Sequence, residues 1–206
     1  MLNRVSLNKK VKVMNTSKYF NLEFCYYKNF YDTDSSKIIS NNLNNSIKWT
    51  NDEFKMYGKS LILKRRVAWY ADSGKSYTYS GIKKESLPFT EELSMIKEKV
   101  EKKTNVAFNS VLLNDYKDGQ VGMGWHSDNE KELGKNPTIA SLSFGASRDM
   151  LFRNKNNPSL KVFKVLIENG SLLVMKGRTQ HLWQHCIPKR LKVKQRRINL
   201  PFRTII

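Results

Sequence analysis

After Phe108 the pattern of apolar and polar positions changes to short strand-length runs set off by turn residues. Ser110–Tyr116, Thr138–Phe144, Met150–Phe152, Lys161–Ile167, Ser171–Met175, Gln184–Ile187 and Arg197–Phe202 each read as a short strand. Turn-forming residues part them: Lys117-Asp118-Gly119, Gly145-Ala146-Ser147, the stretch from Asn154 to Ser159, and Asn169-Gly170. Upstream the period lengthens. Thr90 through Lys103 predicts a helix with Leu93, Ile96 and Val100 as its apolar stripe. Thr90 can cap it, Glu91 and Glu92 suit its positive end, and Lys97, Lys99, Lys102 and Lys103 lie toward its negative end. Ile38, Ile39, Leu43 and Ile47 repeat the helical spacing, although the asparagine run around Asn41 to Asn45 lowers helix propensity there. The aromatic segment Leu22 to Phe30 is expected to dock on the core. Helical segments followed by many short strands predict an α+β protein: a double-stranded β-helix (jelly roll) core with N-terminal helices packed on one side.

Length and charge refine this outline. At 206 residues the chain suits one domain with a sizeable core. Residues 1–18 are polar and basic and read as a flexible tail, leaving 19–206 as the folded domain. No apolar run approaches membrane-spanning length, Leu172-Leu173-Val174-Met175 being a typical longest stretch. The opening Met1-Leu2-Asn3-Arg4-Val5 lacks the apolar segment of a secretory signal. Two cysteines, Cys25 and Cys186, argue against a disulfide scaffold and fit a reducing compartment. The expectation is an intracellular monomer, nuclear or cytoplasmic, neither secreted nor membrane-bound. Thirty-seven Lys and Arg against eighteen Asp and Glu give a net charge of +19, which attracts polyanions, nucleic acid first. Charge alone also fits a merely soluble lysine-rich protein.

Candidate chemistry is concentrated in few residues. The chain has three histidines. His126 and Asp128 are two apart, so on an extended segment both side chains face one way. His185, in the strand-like Trp183-Gln184-His185-Cys186-Ile187, can add a third ligand from another strand. Two imidazoles and one carboxylate on one face are the usual donor set for non-haem Fe(II). An alternative pairs His181 with His185 for zinc, with Cys186 assisting. A lone H-x-D is common, and by itself reads more often as a solvated loop pair. The last strand shifts that balance. Ile198, Leu200 and Phe202 alternate with Arg197, Asn199, Pro201 and Arg203, so one face is apolar and the other presents two guanidiniums and an amide. Guanidinium forks match carboxylates, and two inward cations are costly without anions. A dicarboxylate such as 2-oxoglutarate would compensate them; an exposed edge strand meeting solvent or phosphate is the plainer reading. Asn114 and Tyr116, again two apart, offer an amide and a phenol to the same acid.

From about Tyr57 to Ile206 these residues resemble the AlkB-type Fe(II)/2-oxoglutarate nucleic-acid dealkylases, in particular their eukaryotic DNA-repair branch. The resemblance rests on Ala68-Trp69-Tyr70, Ser76-Tyr77-Thr78-Tyr79-Ser80-Gly81, Phe108 to Asn114 and Trp125-His126-Ser127-Asp128-Asn129-Glu130. It continues through Ile139 to Gly145, Gly170 to Met175 and Arg197 to Arg203, all in the family's order. It implies that His126, Asp128 and His185 hold Fe(II), and that Asn114, Tyr116, Arg197, Asn199 and Arg203 bind 2-oxoglutarate as co-substrate. It implies further that residues 50–85 recognise the nucleotide, with Tyr77, Tyr79 and Ser80 lining a flipped-base pocket and Arg65 beside it. Glu130 stands where the family places an acid near a cationic damaged base. Phe54-Lys55-Met56-Tyr57-Gly58 resembles the hairpin whose aromatic tip, here Tyr57, fills the gap in a duplex. Two departures stand out: Pro201 replaces the family's threonine, removing a backbone donor and a hydroxyl, and Asn129 replaces a frequent acid.

The activity so implied is oxidative demethylation of 1-methyladenine and 3-methylcytosine in DNA, single- or double-stranded, with RNA as a further partner. With dioxygen as oxidant, a methyl carbon on nitrogen is hydroxylated and lost as formaldehyde while 2-oxoglutarate leaves as succinate and carbon dioxide. A base must leave the stack to reach a buried metal, and Tyr77 and Tyr79 offer faces on which it could stack; ordinary core aromatics are the plainer reading of that pair. Lys189, Arg190, Lys192, Lys194 and Arg196 form either a phosphate-gripping loop or a solvated basic turn. The competing readings are an oxygenase acting on a regulatory RNA mark or on protein, and a nucleic-acid-binding module on an inactive oxygenase fold.

Overall fold

The computed structural model describes residues 11–13, 21–56, 59–72, 76–79 and 82–206; for 11–13, 52–56, 59–61, 76–79 and 82–85 only the backbone is described. In chain order the elements are β1 (Val11–Val13), β2 (Glu23–Tyr27), α1 (Thr33–Ser46), β3 (Thr50–Met56), β4 (Lys59–Ala71), β5 (Ser76–Tyr79) and β6 (Ile82–Glu85). Then come α2 (Glu91–Thr104), β7 (Ser110–Tyr116), β8 (Met123–His126), β9 (Ile139–Gly145), β10 (Arg148–Asn154), β11 (Phe163–Ile167) and β12 (Ser171–Lys176). The chain closes with α3 (Thr179–Leu182), β13 (Trp183–Ile187) and β14 (Arg197–Arg203). Among the described residues the strands form an eight-stranded sheet ordered β1-β2-β12-β9-β14-β7-β4-β3, a four-stranded sheet ordered β11-β10-β13-β8, and the β5–β6 hairpin. Every strand pairing is antiparallel. The expected β-rich core is therefore present.

Strand alternation assigns the two faces of the large sheet to two cores. Phe24, Trp69, Leu112, Ile139, Leu173 and Met175 share one buried cluster with Phe152, Val165, Trp183 and Ile187 of the small sheet. Residues of opposite parity (Tyr70, Val111, Leu113, Leu142, Val174, Ile198, Leu200 and Phe202) share the second cluster with Leu43 of α1 and Leu93, Ile96 and Val100 of α2. Each such buried side chain contributes about 1.5–3 kcal/mol relative to exposure.

The second helix matches its predicted stripe and caps. Thr90 accepts the Leu93 N–H at 3.2 Å, and Asn105 closes the helix in the left-handed region at φ 56°. The first helix forms despite its asparagines because tertiary contacts use them. Asn42 donates to Glu92 at 3.0 Å, and Asn44 accepts from Arg66 at 3.4 Å and from Arg196. Ile38, part of the predicted stripe, points to solvent, while Leu43 and Ile47 carry the burial. The segment expected to be a loose tail contains β1, whose Val11 pairs with Tyr27 and Val13 with Cys25. Without that strand β2 would offer an unpaired sheet edge. Pro201 sits in a central strand, and its missing N–H is visible in the pairing. The β14–β7 partners run to Asn199↔Asn114 and resume at Phe202↔Val111 in the same register. Proline thus interrupts the ladder without displacing the strand.

Candidate metal and acid-binding site

Between the two sheets lies a cleft into which most of the predicted site residues converge. His126, at the end of β8, and His185, in the middle of β13, are direct cross-strand partners. Their ring centroids are 4.2 Å apart. Asp128 follows β8 by two residues and is buried. One ligand atom from each of His126, Asp128 and His185 lies within 4.8 Å of the others, and this is the group of three that could hold a metal among the described residues. His126 Nδ1 stands 2.9 Å from the Gly124 carbonyl oxygen, which only accepts, so Nδ1 donates there and Nε2 is the nitrogen that could ligate a metal. His181 belongs to no such group; its Nε2 accepts the Asn136 N–H at 3.2 Å. The zinc alternative at His181 and Cys186 therefore finds no shared centre.

The protonation states suit a metal. Burial pushes the His185 imidazole well below its ordinary pKa, with His126 adding to that and Asp128 opposing it. It is therefore neutral, the form that ligates. Burial disfavours the Asp128 carboxylate ion, but Arg203, His185 and His126 outweigh this and hold its pKa below the usual carboxylate range. Arg203 Nη2 donates to Asp128 Oδ1 at 2.5 Å, and Asp128 Oδ2 lies 3.6 Å from His185 Nε2.

The wall beside these groups is the polar face of β14 and β7. Asn114, Tyr116, Arg197, Asn199, Pro201 and Arg203 all line the cleft, as the alternation predicted. Arg197 is 1 % exposed, and none of the ion pairs among the described residues includes it. Its Nη2 donates to Ser143 Oγ at 3.0 Å and Asn199 Oδ1 at 2.9 Å, whereas Nε and Nη1 have no hydrogen-bond partner. Its guanidinium lies 5.0 Å from the centre of the Tyr116 ring. Burial lowers its pKa, marking a charge held out of water. Asn199 Oδ1 also accepts from Ser141 Oγ at 2.9 Å and Ser143 Oγ at 3.0 Å. Asn114 turns its amide back to the Leu112 carbonyl at 2.8 Å.

Other predicted residues are placed less centrally. Arg65 is buried, lines the cleft and donates to the Met123 sulfur. Glu130 lies outside the cleft lining, at the start of the short turn Lys131–Leu133; its Oε2 is buried without a hydrogen-bond partner. Tyr77 and Tyr79 belong to β5, paired with Lys84 and Ile82 of β6. Tyr57 and Ser80 lie outside the described residues, as do the side chains of Tyr77 and Tyr79.

Sequence reasoning missed three supports of the site. Arg148, fully buried, donates to the carbonyls of Asp118 (3.3 Å), Val121 (2.9 Å) and Pro188 (2.7 Å). Gly119 clamps the same region: its N–H donates to Val193 O at 2.8 Å and its carbonyl accepts the Arg190 N–H at 2.7 Å. Together they pin the basic loop Lys189–Arg196 to the turn after β7. Gln180, in α3, contacts the Asp128 backbone at 2.9 Å. Only the repeat of Gly119 as a turn residue was visible in the sequence; a buried Arg or Gln outside any periodic stripe carries no such signal.

Comparison with known proteins follows the same lines. The family described as the 2OG-Fe(II) oxygenase superfamily matches residues 23–203. The DNA oxidative demethylase ALKBH2 of Bos taurus is 41 % identical over 158 residues, covering 74 % of this chain and 57 % of the relative. The alpha-ketoglutarate-dependent dioxygenase alkB homolog 3 of Rattus norvegicus is 36 % identical over 189 residues, covering 88 % and 63 %. The chain thus spans about three fifths of the length of these relatives, 57 % and 63 %. The DNA oxidative demethylase ALKBH2 of Arabidopsis thaliana is 32 % identical over 210 residues, covering 89 % and 67 %. A solved structure titled "The structure of OsALKBH1" aligns with TM-score 0.61 and 18 % identity over 90 % of this chain and 98 % of that one, a likeness of fold alone.

Proposed function

The chain belongs to the 2OG-Fe(II) oxygenase superfamily, and from that membership we propose that it removes N-methyl groups oxidatively from nucleic-acid bases, 1-methyladenine and 3-methylcytosine in DNA above all. The observation that carries this reading is the pairing of two features in one cleft. Three metal-type ligands converge there, and a buried guanidinium beside them lacks a carboxylate partner. The donor set fits Fe(II): two imidazoles, that of His185 neutral, and one carboxylate held as the ion. The wall fits a dicarboxylate, because Arg197 Nε and Nη1 have no hydrogen-bond partner and no carboxylate among the described residues pairs with its buried charge.

In this reading His126, Asp128 and His185 hold the metal. Arg197, assisted by Asn114, Tyr116 and Asn199, takes a carboxylate of 2-oxoglutarate. Arg203 joins the metal-holding Asp128 to the acid-binding wall. With iron and 2-oxoglutarate bound, dioxygen would be the oxidant: one oxygen atom would go to 2-oxoglutarate, giving succinate and carbon dioxide, and the other to the N-methyl carbon, whose hydroxymethyl adduct would decompose to formaldehyde and the restored base. The protein's part is to orient and to exclude water. Residues 19–206 are read as one oxygenase domain, a jelly roll with helices on one side. Residues 50–85 are taken as the nucleotide-recognition region, with Arg65, Tyr57, Tyr77, Tyr79 and Ser80 as its substrate-binding residues. Glu130 favours cationic bases over neutral ones, since opposite charges attract more strongly in a low-dielectric pocket than in water. Lys189, Lys192 and Lys194, on the pinned loop, grip phosphates. No helix among the described residues is long and apolar enough to cross a membrane.

A panel of methylated oligonucleotides, single- and double-stranded, DNA and RNA, with Fe(II) and 2-oxoglutarate tests this. Formaldehyde and succinate are expected in equal amounts. Succinate production unaffected by any methylated base, with formaldehyde absent, would transfer the protein to another oxygenase class.

A further inference from the structure

We propose that Gln180 is a positioning residue that fixes the metal-holding arm of the site through the backbone of Asp128. The proposal rests on the reading of His126, Asp128 and His185 as metal ligands. Gln180 is fully buried, and its side-chain Oε1 accepts the Asp128 N–H at 2.9 Å. A backbone N–H can only donate, so the amide oxygen must face Asp128 and the amide nitrogen must face away. That nitrogen donates to Met175 Sδ at 3.4 Å, on the strand β12 that lines the same cleft. Both ends of the amide are therefore used, and its orientation is determined.

Gln180 is itself held firmly. Thr179 exchanges two hydrogen bonds with Glu23 at the start of β2, Oγ1 donating to the Glu23 carbonyl at 2.9 Å and accepting the Glu23 N–H at 2.8 Å. Lys155 Nζ donates to the Gln180 carbonyl at 2.9 Å. A second tie runs parallel: Ser127 Oγ donates to the Trp183 carbonyl at 2.9 Å. The segment 179–183 is thus a cradle for Ser127 and Asp128, the residues that leave β8 and have no ladder to fix them.

The importance of Gln180 follows from what else touches Asp128. Its carboxylate contacts are Arg203 and His185, and both of those groups are ones a bound acid or metal would engage. The Gln180 bond is to the backbone and does not depend on either. It therefore holds the main chain that carries the carboxylate independently of any ligand. Loss of an orienting partner around a metal ligand typically weakens metal affinity 10–100-fold.

The test is Co(II) binding to the metal-free protein, followed by absorption and calorimetry, with no 2-oxoglutarate or nucleic acid present. Gln180→Met keeps the volume and loses the acceptor. Gln180→Asn keeps the amide but is one methylene too short. Gln180→Glu keeps an oxygen at the same reach and, protonated in its buried site, is nearly isosteric. The expected result is Co(II) affinity lowered about 10–100-fold in the Met and Asn variants and within a few-fold of native in the Glu variant. A merely structural role would lower the metal-free Tm without this split. Should the Met variant fail to fold, the Asn and Glu pair decides. Equal affinities in native and Asn protein, or equal weakening in Asn and Glu, overturn the proposal. Failure of the native protein to bind Co(II) instead overturns the metal reading on which it stands.

Discussion

Replacing Arg197 by methionine should make the ligand-free protein more stable and nearly blind to its acid. Arg197 is 1 % exposed and unpaired with any carboxylate among the described residues, so in the absence of an anion its charge is a net cost. Methionine has similar length and no charge. The hydrogen-bond partners left behind are not orphaned: Asn199 Oδ1 keeps the Ser141 and Ser143 hydroxyls as donors at 2.9 and 3.0 Å. Exchanges of buried charge for well-packed apolar groups are neutral or stabilising by about 1–4 kcal/mol. For a domain of this size that corresponds to a Tm increase of roughly 2–15 °C. The acid, by contrast, loses two charge-assisted hydrogen bonds worth about 1.5–3 kcal/mol each. Together they correspond to a Kd for 2-oxoglutarate raised roughly a hundredfold to ten-thousandfold. Scanning calorimetry of the metal-free protein and titration of 2-oxoglutarate into the Mn(II) form measure the two effects separately. Native protein should gain Tm on adding the acid, as any ligand of the folded state produces, and the variant should not. A ligand-free Tm that falls, together with a 2-oxoglutarate Kd within twofold of native, refutes the reasoning.

Three further outcomes are expected. His185→Ala should abolish formaldehyde release while leaving duplex binding within a few-fold of native; turnover at the native rate would remove His185 from the metal set. Gly119→Ala should displace the basic loop, because a Cβ there would lie 1.7 Å from the Arg190 carbonyl oxygen. Oligonucleotide affinity should then fall and its salt dependence flatten, while Co(II) binding stays native; an unchanged salt slope would show that the loop carries no phosphate contacts. Tyr57→Ala should reduce turnover on duplex substrates more than on single strands, and equal losses on both dismiss a gap-filling role.

The strands were legible because burial on both faces concentrates apolar residues into short runs bounded by turn residues. The Ser110–Tyr116 prediction coincides with β7, and β9, β12, β13 and β14 were found within a residue at each end. The acid-binding wall was legible from alternation, since parity alone separates Arg197, Asn199 and Arg203 from Ile198, Leu200 and Phe202. The helix α1 was obscured because its asparagines are poor helix formers, and only the fold shows Glu92, Arg66 and Arg196 making use of them. β10 was seen only in its middle, since Arg148 at its start is polar and yet fully inside. Arg148 and Gln180 stayed hidden on the same ground: their partners are main-chain atoms, which leave no pattern in side-chain chemistry.

The facing of His126 and His185 across two hydrogen-bonded strands has a mechanical consequence. The backbones that carry those two imidazoles are held together by the pairing of β8 with β13. Asp128, beyond the end of β8, has no such ladder and is braced instead by the ties of Ser127 and Asp128 to the segment 179–183. Two independent supports therefore converge on one centre, and damage to the side-chain ties should loosen one ligand while leaving the histidine pair in place.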